Sequence, residues 1–197
     1  EGQDAMPPGD RERFVASIRR QAERMSAMID KLLALAAVEH RQRLEDPQAV
    51  DFSAVLDEVA EDAGPKLAQA GVTLERAVDA GLPVVPGDAF LVRQAIDNLV
   101  ENAIDFAPAD STVSIDVRAG DDAVVVEVAD RGPGVPEYAR ERVFERFYSL
   151  ARPGDGGRSS GIGLCFVAEV AGLHGGGITL DDREGGGTIA RLVLPAA

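Results

Sequence analysis

Val92-Arg-Gln-Ala-Ile-Asp-Asn98-Leu-Val-Glu-Asn102-Ala-Ile-Asp-Phe106 is the stretch on which the reading of this chain turns. Val92, Ile96, Leu99, Ala103 and Phe106 recur at spacings of four, three, four and three, the period of a helix with one buried stripe. Asn98 and Asn102 stand one turn apart on another face, with Asp105 nearby. Asn is a middling helix former and gains nothing from burial unless its amide is bonded. Taken alone, the pair suits a solvated face as well as a polar site. Two downstream stretches favour the site.

The first is Asp130-Arg-Gly132-Pro-Gly134, which follows the strand-like run 123–129. A carboxylate at a strand end accepts hydrogen bonds from an exocyclic amine, the feature that selects adenine. Gly132 and Gly134 let the backbone turn sharply and approach a flat base. By itself the motif also fits an ordinary strand-to-helix turn. The second is Ser159-Ser160-Gly161-Ile162-Gly163, ahead of a helix. Glycine N–H groups and a helix dipole favour phosphate there. The stretch is neither a dinucleotide fingerprint nor a Walker A loop, which need a third glycine or Gly-Lys-Ser/Thr. Residues 151–160 have the composition of a mobile loop, and Arg152 and Arg158 in it, with Arg146 just before, suit phosphate oxygens as well as open solvent. Mg²⁺ normally accompanies ATP, and an amide oxygen is a fitting hard ligand, so Asn102 is the expected metal ligand and Asn98 its support. Asp105 is assigned to ribose or a water.

Composition sets the limits. The 197 residues are 45% hydrophobic and 27% charged, an ordinary globular balance with room for one good core and a small appendage. The net charge of -14 argues against a nucleic-acid backbone or an anionic membrane surface as partner. Backbone N–H groups and a cation can still hold phosphate locally. One cysteine, Cys165, excludes an internal disulfide and a cysteine-based metal site, and its setting predicts a buried small apolar residue. No apolar run approaches the roughly 18 residues of a membrane span, and no basic-then-apolar signal segment is legible. His40 and His174 lack a suggestive carboxylate partner and read as solvent-facing or structural, His174 as a donor to the last carbonyls of a helix.

Upstream, Asp10 is placed as a helix N-cap, and a long helix is expected over residues 11–43. Phe14, Ile18, Gln21, Met25, Met28, Leu32 and Leu35 hold a heptad seam for about three repeats, so the helix expects a helical partner. Too few residues precede it here to supply one. The expectation is that a hairpin's first helix lies outside this chain, or that the seam packs on another chain. Pro47 marks a boundary between residues 1–46 and 47–197. Beyond it the pattern predicts strands at 49–52, 72–75, 82–85, 112–118, 123–129, 177–181 and 187–194. Helices are expected over residues 53–70, capped by Ser53, from cap Asp88 to before Pro108, over 136–142, and over 163–173. The fold class is an α/β sandwich with a mixed sheet of about five strands and about three helices on one face, preceded by one long amphipathic helix.

In order and spacing, these stretches resemble the ATP-binding catalytic domain of bacterial sensor histidine kinases, the GHKL or Bergerat fold. Asn98-Leu-Val-Glu-Asn102 resembles its N box, Asp130-Arg-Gly-Pro-Gly134 its G1 box, Phe144-Glu-Arg-Phe147 its F box followed by Tyr148, and Ser160-Gly-Ile-Gly163-Leu164 its G2 box. Gly185-Gly-Gly-Thr188 resembles the closing glycine–threonine motif. Residues 11–45 resemble the second helix of the dimerisation and histidine-phosphotransfer hairpin. Val135-Pro-Glu-Tyr-Ala, the run 144–150 and Ser159–Leu164 are similar to CreC-type sensors, membrane-anchored kinases of Gram-negative bacteria.

The resemblance implies Mg²⁺ with ATP or ADP as cofactors, and transfer of the γ-phosphoryl group to a histidine absent from this chain. It also implies relay to a response regulator, a second kinase copy met through the hairpin, and a cytoplasmic position in an inner-membrane protein, with membrane contact only through upstream segments. The chain is expected to bind nucleotide without phosphorylating itself. Where many such kinases carry a phosphate-reaching Lys and a Tyr, this chain has Asp105 and Phe106. A related ATPase of the chaperone, gyrase or mismatch-repair class would place a Glu where Asn98 stands. An anti-sigma type serine kinase shares the site but not the heptad helix, and an interaction module that only kept the fold remains a third reading.

Overall fold

In the computed structural model, the described residues are 8–151 and 159–197. The first element is a 32-residue helix, α1 (Pro8–Glu39). Pro8 at its first position is pre-set for a helix and has no N–H to leave unbonded, so Asp10 falls inside the first turn rather than before it. The helix stops at Glu39, short of residue 43.

A two-residue strand β1 (Gln48–Ala49) leads into α2 (Phe52–Ala70). The cap of α2 is Asp51, whose side chain accepts from Ser53 N and Ala54 N, not Ser53 as the sequence suggested. A carboxylate acceptor complements the helix start better than a hydroxyl. Gly71 closes α2 in the left-handed conformation at φ 66°. The parallel edge strand β2 (Thr73–Val78) follows. No strand forms over residues 82–85. The pairing instead falls on β3 (Pro86–Gly87), antiparallel to β1, with Val50 N donating to Val85 O. Pro83 has no N–H for a ladder, which agrees with that shift.

Asp88 caps α3 (Ala89–Phe106) as expected, accepting from Phe90 N and Leu91 N. The hairpin β4 (Thr112–Gly120) and β5 (Ala123–Ala129) comes next. Residues 136–142 do not make one short helix; single 3₁₀ turns occupy Glu137–Ala139 and Arg142–Phe144. The chain ends with α4 (Gly163–Leu173), β6 (Gly177–Asp182) and β7 (Thr188–Pro195).

The main sheet has five strands in the order β2-β4-β5-β7-β6, parallel only between β2 and β4. Its register sets Ile115 opposite Val128, Val117 opposite Val126, and Val126 opposite Leu192. The buried residues of three strands therefore share one face, and α2, α3 and α4 cover it with Leu56, Val59, Val92, Ile96, Val167 and Val170. Each fully buried Val, Leu or Ile contributes about 1.5–3 kcal/mol relative to exposure. The opposite face is polar, with Arg191 Nε donating to Glu127 at 2.5 Å. This is the expected α/β sandwich with a mixed five-stranded sheet.

Leu35 and Val38 of α1 are buried against this body, and α1 packs on α4. Phe14, Ile18, Met25 and Met28 along the heptad seam stay exposed. His174 is 9% exposed: its Nδ1 donates to Val170 O at 2.8 Å and its Nε2 accepts from Asp88 N at 3.1 Å. The ring thus ties the end of α4 to the start of α3, a structural role. No helix among the described residues is long and apolar enough to cross a membrane.

Asp97 on α3 predicts a pH effect. Burial pushes its carboxyl from 3.8 up to about 6, opposed by Arg93 and aided by Asp62, Glu101 and Glu58. Between those two values the folded chain holds a proton that the unfolded chain has released, so stability falls as pH rises towards 6 and stays lower above it. The shift corresponds to about 3 kcal/mol, which solvent screening of a partly exposed side chain reduces to about 1–2 kcal/mol. Asp97→Asn is therefore expected to be more stable than wild type at pH 7.5 and equal to it near pH 4. Urea midpoints at the two pH values check this, and equal midpoints at pH 7.5 would contradict it.

Candidate functional site

A cavity of about 810 Å³, counting its open mouth, lies between α3 and the start of α4, over the end of the sheet. Leu99, Asn102, Ala103 and Phe106 of α3 form one wall. Leu99, Ala103 and Phe106 are the pocket-facing part of the stripe in the helix 92–106, turned towards the sheet by Val92, Ile96 and Val100 beneath, and Asn102 stands beside them. Val128, Asp130, Thr188 and Ala190 form the floor, and Gly161, Gly163 and Leu164 the far wall.

Asp130 directly follows β5 and is 7% exposed. Its Oδ1 accepts from Gly132 N at 2.6 Å and Thr188 N at 3.3 Å. Both backbone bonds fall on one oxygen, which leaves Oδ2 as an acceptor for a donor in the cavity. Burial pushes this carboxyl above its ordinary value, while those two bonds, Arg183 and the Thr188 side chain pull it down. The surrounding glycines are required by space. A Cβ on Gly132 would lie 2.7 Å from Phe106 O, and one on Gly187, at φ +112°, would lie 2.1 Å from Asp130 O.

At the other end, α4 starts without any side-chain cap, and its first residues line the cavity. Its opening N–H groups carry the positive end of the helix dipole. Gly161, at φ +67°, is pressed so closely on the backbone of Phe147 and Tyr148 that a Cβ would stand 2.6 Å from Phe147 C. Phe147 N donates to Gly161 O at 2.9 Å. Gly163 lets α4 approach α3, since its Cβ would meet Asn98 Oδ1 at 3.0 Å and Asn102 Nδ2 at 3.6 Å.

The fold brings Asn102, Asp130, Gly134, Tyr148, Gly161, Gly163, Leu164 and Thr188 to one cavity, with Gly132 wrapping Asp130. Other expected residues stand apart. Asn98 faces a smaller hollow with Lys31, Gln94, Ile162 and Phe166, and its Nδ2 donates to Gln94 O at 2.8 Å. Ile162 is 1% exposed and belongs to the core. Ser160 does not line the cavity, whereas its neighbour Ser159 does. Asp105 is ion-paired with Lys66 of α2 at 2.9 Å, and Lys66 also donates to Glu101 O. Arg146 pairs with Glu39 of α1. Arg152 and Arg158 lie outside the described residues.

The apolar liners Val128, Val143, Leu180 and Ala190 were not assigned to the site from the sequence, and Leu99 was read only as part of the buried stripe. They are ordinary members of amphipathic elements and carry no chemical signature. Lys66 is likewise a solvated lysine until the fold sets it against Asp105. Cys165 is 6% exposed with its thiol pushed up by burial, the buried small residue expected.

The donor set fits a divalent cation only in company. The Asn102 amide lines the cavity and has no hydrogen-bond partner among the described residues. No group of three or more His, Cys, Asp or Glu among them could hold a metal unaided. A hard cation here would take the Asn102 oxygen and complete its shell from a ligand's own oxygens and water.

Residues 87–197 match the family described as histidine kinase-, DNA gyrase B-, and HSP90-like ATPase. The chain is 40% identical over 188 residues to the sensor protein CreC of Escherichia coli K12, covering 95% of this chain and 39% of that one. Among solved structures, full-length ShkA in complex with AMPPNP superposes with a TM-score of 0.81 at 26% identity, over 99% of this chain and 41% of that one. The ATP binding domain of PrrB from Mycobacterium tuberculosis gives 0.61 at 30% identity, over 78% of this chain and 99% of that one. The chain spans less than half the length of the curated relatives it matches.

Proposed function

This chain belongs to the histidine kinase-, DNA gyrase B- and HSP90-like ATPases, and we propose that it works as the ATP-binding catalytic part of a two-component sensor histidine kinase. The observation that carries the reading is the polarity of the cavity. A buried carboxylate with a spare acceptor oxygen sits at one end, and an uncapped helix start beside an unpartnered amide sits at the other. An adenine amine suits the first and a phosphate chain the second.

When bound, Mg-ATP supplies the γ-phosphoryl group, which passes to a histidine nitrogen of a phosphotransfer helix outside these 197 residues and then to a response-regulator aspartate. The residues of this chain bind and orient. Asp130 reads the amine, Phe106, Val128 and Leu180 exclude water from the base, and the α4 N–H groups hold phosphate oxygens. Asn102 is assigned as the metal ligand, and Arg146 as a phosphate-neutralising cation when it is free to turn inward. Catalysis of this kind is mostly positioning and charge neutralisation. His174 does not suit the acceptor role, since it is buried with both ring nitrogens bonded. The resemblance to CreC extends the reading to a second kinase copy met through the exposed seam of α1, and to the cytoplasmic side of an inner membrane.

Water-directed hydrolysis is less well supported. It would need a carboxylate one turn before Asn102, where Asn98 stands with its amide bonded to Gln94 O.

The test combines calorimetry and labelling. The wild-type chain is expected to bind ADP and a non-hydrolysable ATP analogue with Mg²⁺, and Asn102→Ala to lose about 10-fold or more of the affinity that depends on Mg²⁺. Radiolabelled ATP is expected to leave no acid-labile label on the chain. Mg²⁺-dependent binding unaltered in Asn102→Ala, or stoichiometric labelling, would overturn the assignment.

A further inference from the structure

Arg146 lies two residues before Tyr148, which lines the cavity, yet its guanidinium is directed at Glu39, the last residue of α1. Glu39 is the less exposed partner, with its side chain 20% exposed against 55% for Arg146. The guanidinium also lies against the Cys165 thiol in the first turn of α4. The same end of α1 is fastened by buried Leu35 and Val38 and by Lys31 with Glu101 at 2.7 Å, and just past it Arg41 pairs with Asp88 at 3.0 Å. Of these three ion pairs, only Arg146–Glu39 uses a residue that the nucleotide reading also claims.

We propose that Glu39 is a positioning residue that holds Arg146 on α1 and out of the cavity, so that α1 and a nucleoside triphosphate compete for one guanidinium. The inference rests on the ATP-site reading above. A guanidinium can bond a carboxylate or a phosphate bidentately, and the phosphate chain carries the greater charge. One guanidinium cannot do both in full. Any affinity that Glu39 withholds from the nucleotide must appear, by reciprocity, as loosening of α1 when nucleotide binds.

Glu39→Gln keeps the size of the side chain and removes its charge. It is expected to tighten binding of a non-hydrolysable ATP analogue about 2–5-fold, the range expected for a partly exposed ion pair, and to tighten ADP less. Adding Arg146→Ala to Glu39→Gln should erase the gain. Lys31→Gln, which cuts another tie of α1 without touching Arg146, should leave the affinity unchanged. In the wild-type chain, saturating analogue should accelerate amide hydrogen exchange at residues 35–39.

An unchanged or weakened affinity in Glu39→Gln overturns the proposal, as does an equal gain in Lys31→Gln, which would make α1 undocking itself the cause. Unaltered exchange at residues 35–39 also overturns it. A wild-type chain that binds neither nucleotide would overturn the ATP-site reading and this inference with it. Normal wild-type binding with no response to Glu39→Gln overturns this inference alone.

Discussion

Asp130→Asn is expected to abolish measurable nucleotide binding while leaving the fold intact. The Asn carbonyl oxygen can take over from Oδ1, still accepting from Gly132 N and Thr188 N. The amide nitrogen then replaces Oδ2 and faces an adenine amine donor to donor. A charge-assisted bond of about 1.5–3 kcal/mol is lost, and a buried donor left unpaired costs a further 1–3 kcal/mol or so. Together they weaken binding about 100-fold or more. Stability should move the other way, or not at all, because burial disfavours the Asp130 charge in the folded chain. Calorimetry with ADP, beside a thermal melt of the free protein, separates the two effects. Asp130→Asn binding ADP within about threefold of wild type would remove Asp130 from the base-reading role.

The second large effect is expected at Gly187. Its φ of +112° lies where side chains are strained, and an added Cβ would stand 2.1 Å from Asp130 O and 2.8 Å from Asp130 C. Backbone strain of about 1–3 kcal/mol and a clash that only backbone movement relieves add to roughly 2–4 kcal/mol for Gly187→Ala. The damage should be both local and global, because Arg183 N donates to Gly187 O and Thr188 N to Asp130 Oδ1. Gly186→Ala is the control: φ is +99° there, but a Cβ meets nothing within 4 Å. Urea denaturation should place Gly187→Ala well below Gly186→Ala. Equal midpoints would show that contact with Asp130 is not what requires glycine at 187.

Much of the fold was legible because the periods were clean. The helix 92–106 and the hairpin of β4 and β5 formed where apolar spacing put them, since one buried face per element leaves little choice of conformation. The misplacements lie where local signals compete. Ser53 and Asp51 both suit a cap, and the carboxylate took the role. Residues 82–85 are apolar, but the backbone pairing went to Pro86 and Gly87, against a strand 38 residues earlier in the chain. No local signal could announce that partner.

The candidate site divides in the same way. Asp130, Gly132, Gly161 and Asn102 were legible because their chemistry depends on residue type at short spacing: a carboxylate at a strand end, glycines where a Cβ has no room, an amide on a helix face. Side-chain partners were not legible, because an ion pair joins whatever charges the fold brings within reach. Asp105 reads as a carboxylate standing where a phosphate-binding cation is usual, and the structure sets Lys66 of α2 against it. Arg146 reads as a phosphate ligand, and the structure gives it to Glu39, 107 residues away in sequence.

By itself, then, the sequence determined the elements, the sandwich and the two poles of the cavity, all consequences of local period and residue chemistry. Only the tertiary structure decided how the Val92–Phe106 helix divides its polar face. Asn102 is left open to the cavity, Asn98 is closed against α4, and Asp105 is turned to α2. The reason is physical: a helix sets the angles between its side chains, but the neighbours packed around it determine which of those directions meets solvent, protein or ligand.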